Sequence, residues 1–214
     1  MSLVWAKWAE WRSHADSSYC GRERSHVMAK AGWYIVQVQT GREQAMCETI
    51  RRVCANETAG DGETPLLEEC FSPTYVHRLK YDGEWRDFER PLLPGYVVAV
   101  VSDPVALTHK LRSIRDFART LTMAETFVPL REEERAWIEE NTEMGNRVIP
   151  ISVGYRKGDA LVVTDGPLKG REAMIDRIIR KKCVAILKVH VGNITITTEV
   201  GFALLPERDA KRGS

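Results

Sequence analysis

At 214 residues, with 43% hydrophobic and 29% charged side chains and a formal net charge of +1, the chain has the balance of a soluble globular protein with room for two small domains. No run reaches the roughly 18 apolar residues of a membrane helix, and the start Met1-Ser2-Leu3-Val4-Trp5, with Glu10 close by, lacks a secretory apolar core. The five cysteines (Cys20, Cys47, Cys54, Cys70 and Cys183) are odd in number and form no CxxC pair, so they read as reduced thiols of a cytoplasmic protein with no metal framework.

Charge is unevenly distributed. Residues 151–214 hold 12 Lys and Arg against 7 Asp and Glu, a balance of +5, while residues 1–150 balance to −4. A basic tail on an acidic body admits nucleic acid at the tail without requiring it.

In chain order, residues 1–32 form a preface in which Trp5, Trp8 and Trp11 recur every third position. They read either as an amphipathic contact helix or, preferably, as an extension ahead of a start at Met28. Trp33 to Val38 is aromatic and β-branched and predicts a strand. Arg42 to Cys54 predicts a helix burying Met46, Ile50, Val53 and Cys54. Cys70 to Lys80 and Glu84 to Arg90 predict two strands joined at Asp82-Gly83, a hairpin signal. The run Leu92-Leu93-Pro94-Gly95-Tyr96 then turns into Val97 to Val101, which has the length of a buried strand. Leu93 and Tyr96 at its entrance suit either core or a contact surface. Asp103-Pro104 caps a helix with Leu107, Leu111 and Ile114 inward, Phe117 to Leu121 predicts a short strand, and Arg131 to Met144 a last helix anchored by Trp137 and Ile138.

These elements predict a compact α+β domain over 33–145, with helices packed against an antiparallel sheet. Gly145, Pro150 and Gly154 punctuate a candidate linker over 146–154. Asp159 to Thr164, Glu172 to Arg180, Cys183 to Val191 and Ile194 to Val200 then predict the short strands of a small all-β barrel over 155–207, with 208–214 a tail.

Three segments, Trp33-Tyr34-Ile35-Val36 with Gly41-Arg42-Glu43, Ser72-Pro73-Thr74, and Leu93-Pro94-Gly95-Tyr96-Val97, resemble the N-terminal (NGN) domain of NusG-type transcription elongation factors. Lys157 to Gly170 is similar to the KOW motif that opens the SH3-like C-terminal barrel of that family. The resemblance runs from Trp33 to about Glu207. It implies that the sheet face around the Pro-Gly-Tyr turn docks on the clamp helices of the largest catalytic subunit of RNA polymerase. Leu93 and Tyr96 take the matching positions, with Leu where Phe is commoner. Thr108, His109 and Lys110 fall about where the RfaH relative touches the far side of the polymerase cleft; a solvated helix face is the plainer reading.

Within the family the barrel is implied to bind the Rho terminator or a ribosomal protein or, in LoaP-like specialised paralogs, a hairpin in leader RNA. The basic set for an RNA contact is Lys169, Arg171, Arg177, Arg180, Lys181, Lys182 and Lys188, with Arg180-Lys181-Lys182 at a strand-to-strand turn. A solvated hairpin tip accounts equally for any one of them. Only Tyr155 and Phe202 supply aromatic rings there, so stacking on a barrel platform is not expected.

The spelling of the motifs favours a LoaP-like processive antiterminator. A general pausing or Rho- or ribosome-coupling factor is the alternative, and a plain RNA-binding barrel protein a third. The scattered histidines His14, His26, His77, His109 and His190 share no motif with a nucleophile or base, so an enzyme is not expected, nor a cofactor, a membrane partner or an obligate oligomer. Some relatives refold the barrel into a helical hairpin that masks the polymerase patch. The Val, Ile and Thr of Cys183 to Val200 predict strands here instead.

Overall fold

A computed structural model of the chain describes residues 31–112, 114, 127–191 and 194–206. The tryptophans of the preface and the strand expected over 117–121 lie outside them. The chain runs β1 (Gly32–Gln37), α1 (Glu43–Cys54), β2 (Leu67–Phe71), β3 (Thr74–Tyr81), β4 (Glu84–Pro91), β5 (Tyr96–Val101), α2 (Pro104–Arg112), β6 (Phe127–Pro129) and α3 (Glu132–Asn141). It continues through β7 (Val148–Ile149), β8 (Ser152–Lys157), β9 (Ala160–Asp165), β10 (Ile175–Ile179), β11 (Val184–Val191) and β12 (Ile194–Leu205).

Strands β2, β5, β1 and β6 form a four-stranded antiparallel sheet in that order. Side chains alternate across a strand, so β5 sends Val97, Ala99 and Val101 to one face and Val98 and Val100 to the other. Both faces are covered, which is why β5 reads as a continuous apolar run. The first face packs on Met46, Cys47 and Ile50 of α1 and Leu107 and Leu111 of α2. Asp103 caps α2 as expected, its Oδ1 accepting from the N–H groups of Val105 and Ala106 at 2.9 and 3.0 Å.

The hairpin forms at Asp82 and Gly83, both with positive φ (49° and 84°), as a two-residue turn requires. The single strand expected from Cys70 to Lys80 is instead two, broken at Ser72-Pro73. Proline lacks the N–H that would continue the ladder, and the chain leaves the first sheet there to enter a second, ordered β4-β3-β7.

The segment expected as a linker is largely built into the fold. Val148 and Ile149 pair parallel with Thr74 and Tyr75 of β3, and Ile149 is fully buried. Only Pro150 and Ile151 separate β7 from β8.

The later strands form a five-stranded sheet, β10-β11-β12-β8-β9, in which β8 pairs parallel with the end of β12. Residues 184–191 and 194–205 are strands, as the β-branched composition predicts. The strand expected over Glu172 to Arg180 is shorter, preceded by a 3-10 turn at Glu172–Met174 and followed by another at Arg180–Lys182.

Candidate functional site

The turn Leu93–Tyr96 is built by its backbone. Tyr96 N–H donates to the Leu93 carbonyl at 3.0 Å, and Gly95 sits at φ +82°, where a side chain would also meet Thr40 Oγ1 at 2.9 Å. The buried Glu43 carboxylate accepts the Gly95 N–H at 2.7 Å, tying the first turn of α1 to the loop. Burial pushes the Glu43 carboxyl up, and hydrogen bonds from the backbone N–H groups of Gly95, Gly41 and Glu43 outweigh it, holding the group below its ordinary range.

The turn is not a free surface. Leu93 is 1% exposed and Tyr96 is half-buried, and both pack in a core shared by the two sheets. Trp33 and Phe71 of the second face of the four-stranded sheet, with Leu92 and Leu93 of the turn, belong to one buried apolar cluster with Val163, Val184 and Phe202 of the later sheet, Leu168 of the turn after β9, and Trp137 of α3. Leu93 is thus core in this arrangement, one of the two readings its sequence left open.

The seam between the units is also polar. Trp137 Nε1 donates to the Pro167 carbonyl at 2.9 Å, His77 Nε2 donates to the Lys182 carbonyl at 2.6 Å, and the Thr198 hydroxyl donates to the Leu92 carbonyl. Tyr75 Oη donates to Glu199 Oε2 at 3.3 Å, and burial together with that carboxylate pushes the phenol up to about 12. Gly201 lies against β3 so closely that a Cβ would stand 2.0 Å from the Val76 carbonyl oxygen. None of these residues carries a local sequence signal of docking. A glycine inside a strand is the only hint, since it marks close backbone approach.

The other expected contacts separate into groups. On α2, Thr108 bonds back to the Pro104 carbonyl, His109 is exposed, and Lys110 Nζ pairs with Glu57 at 2.6 Å. In the basic set, Arg171 pairs with Glu140 of α3 at 2.7 Å and Lys188 with Asp176 at 2.7 Å. Lys169 and Arg177 are exposed. Arg180, Lys181 and Lys182 share one short turn and are all exposed; Lys182 makes a loose pair with Glu199 at 3.9 Å, and among the described residues Arg180 and Lys181 make no ion pair. Cys183 ends that turn in the left-handed region, at φ 51°. Among the described residues no group of three His, Cys, Asp or Glu side chains is placed to hold a metal ion. No described helix is long and apolar enough to cross a membrane.

The four-stranded sheet is thus covered by helices on one face and shares a buried core with a second β-unit on the other, and an exposed cationic turn lies at Arg180–Lys182. A family model described as "Transcription termination factor nusG" matches residues 31–139, just over half of the chain. The chain belongs to the NusG family. It is 26% identical over 177 residues to the transcription termination/antitermination protein NusG of Campylobacter jejuni, covering 82% of this chain and 97% of that one. The Escherichia coli K12 protein of the same description is 23% identical over 176 residues, covering 81% and 94%. A solved structure titled "Domain interaction in Thermotoga maritima NusG" is similar at TM-score 0.43 and 18% identity, covering 82% of this chain and 96% of that one.

Proposed function

We propose that this chain binds RNA polymerase as a transcription elongation factor and promotes processive antitermination, in the manner of LoaP-like paralogs, with the C-terminal β-unit recognising leader RNA. The polymerase contact is assigned to the Leu93–Tyr96 turn, and to Thr108, His109 and Lys110 as a secondary contact with the other side of the cleft. Because Leu93 is buried in a cluster that includes residues of the second β-unit, polymerase can use it only if that cluster opens. The factor is therefore masked by a β-unit that stays in strands, and a partner acts by differential binding to the open state.

The observation that carries the RNA reading is the Arg180–Lys182 turn: three adjacent exposed cations, two of them without an ion pair among the described residues. Clustered cations on one turn suit a phosphate backbone. Arg171 and Lys188, already paired to Glu140 and Asp176, contribute less.

The names of the relatives, which join termination to antitermination, favour a second reading as a general pausing or Rho- or ribosome-coupling factor. Elongation across a terminator, on templates with and without the leader, separates the two. Leader-dependent readthrough that is lost on charge reversal at Arg180, Lys181 and Lys182 supports the antiterminator. Leader-independent effects with binding to Rho support the second reading.

A further inference from the structure

Every residue of β4 is exposed, yet the hairpin carries large rings: Tyr81 is 56%, Trp85 60% and Phe88 42% exposed. Exposed aromatic side chains gathered on one edge of a small protein mark a contact surface. The register sorts them. Tyr75, His77, Leu79 and Tyr81 of β3 share a face with Arg90, Phe88, Arg86 and Glu84 of β4, while Trp85 points to the opposite face.

On the first of these faces the Arg86 guanidinium lies 5.2 Å from the centre of the Tyr81 ring. Phe88 stands directly across from His77, and it is His77 that donates to the Lys182 carbonyl. The cationic turn of the β-unit is therefore set down beside Phe88. Of the β4 carboxylates, Asp87 and Glu89 lie on the other face, Asp87 held by Arg78 Nε and Nη2 at 2.6 and 2.7 Å, while Glu84 lies on this face and meets Arg86 at 3.8 Å.

Each half lacks what the other has. The turn brings charge without a ring; the hairpin brings ring faces and the guanidinium groups of Arg86 and Arg90. Together they have the two components of a single-strand binding groove: a cationic track for phosphates and aromatic faces for bases. Tyr81 and Phe88 are about 13 Å apart along the strand direction, room for about two or three stacked bases.

We propose that the Tyr81–Phe88 face of the hairpin and the Arg180–Lys182 turn form one surface for single-stranded RNA. Unpaired bases stack on Tyr81 and Phe88, and Arg180, Lys181 and Lys182 hold the phosphates. This rests on the reading that the β-unit meets RNA, and it locates the stacking platform in the other unit. When the units part, the stacking half is given up and the cationic turn keeps the strand.

The test is fluorescence anisotropy of full-length protein with a 5′-fluorescein-labelled, randomised single-stranded RNA of about twelve nucleotides at low salt. Removing both rings (Tyr81→Ala with Phe88→Ala) is expected to weaken binding by about tenfold or more. Charge reversal of Arg180, Lys181 and Lys182 is expected to weaken it at least as much, and Trp85→Ala to change it by less than about twofold. Thermal melting checks that each variant folds, and Phe88→Trp, which keeps a ring, should retain binding. Charge-reversal loss without ring loss would overturn the shared surface and leave the basic turn as the RNA contact. An equal loss in Trp85→Ala would also overturn it, because the hairpin would then be sticky on both faces. No binding by the unaltered protein, or no loss on charge reversal, would overturn both the shared surface and the RNA reading beneath it.

Discussion

The two faces of the four-stranded sheet are covered in different ways. The helix-covered face is closed by residues 36–111, with Val, Ile, Leu, Met and Cys side chains meeting at short and middle range in the sequence. The other face is closed by residues from Ala31 to Phe202, and its seam adds hydrogen bonds from Trp137, His77, Tyr75 and Thr198 to groups across it. Polar content of that kind is usual for interfaces between units that separate, and uninterrupted aliphatic packing for parts that do not. On the proposed function, the helices are the permanent cover of the sheet and the β-unit the removable one.

The largest effect is expected from Trp137→Ala, which deletes a buried indole and its bond to Pro167. It should cost about 3–5 kcal/mol in urea unfolding; a loss under about 1 kcal/mol would deny the seam any weight in stability. Ile50→Ala, on the permanent side, should cost about 2–5 kcal/mol while amide exchange across β11 and β12 keeps its protection relative to global stability. Selective loss of protection there would mean that the two faces are not independent.

Gly201→Ala sharpens the contrast. Its methyl cannot fit against the Val76 carbonyl, so the seam should loosen at a cost of about 1–3 kcal/mol, with tryptophan emission shifting to the red as Trp137 meets water. An unshifted spectrum would show that the strand relaxes without parting.

Glu43→Gln removes the carboxylate that accepts the Gly95 N–H and should cost about 1–2 kcal/mol. The folded-state value of Glu43 is depressed below its ordinary 4.5. Its contribution is therefore present above 4.5 and is lost as pH falls through the folded value. Acid titration of unfolding free energy in the variant should lack that step. The smallest effect belongs to Asp87→Ala: the exposed pair with Arg78 is expected to be worth about 0.5 kcal/mol or less.

Local chemistry was legible wherever a residue acts on its own neighbours. Asp82-Gly83 announces the hairpin, Asp103 the helix cap, and the Val, Ile and Thr of residues 183–200 the last two strands. The break at Ser72-Pro73 was also written in the proline, but the strand-forming Phe71 before it and Thr74, Tyr75 and Val76 after it hid it. Partnership across the seam was not legible. Periodicity identifies Leu93 as apolar without saying what it meets, and His77 and Thr198 find their acceptors 105 and 106 residues away. The segment 146–154 has a linker's punctuation in Pro150 and Gly154, and only the pairing of Val148 and Ile149 with β3 reveals it as part of the fold.

That pairing has a kinetic side. With β7 fixed to β3 and only Pro150 and Ile151 before β8, the second unit hangs on a tether of two residues. A cover so held faces its sheet at an effective concentration of about millimolar or above. Any competitor for the Leu93 face must overcome that local excess, so a partner that also grips the β-unit gains twice: once by its own contact and once by removing the rival.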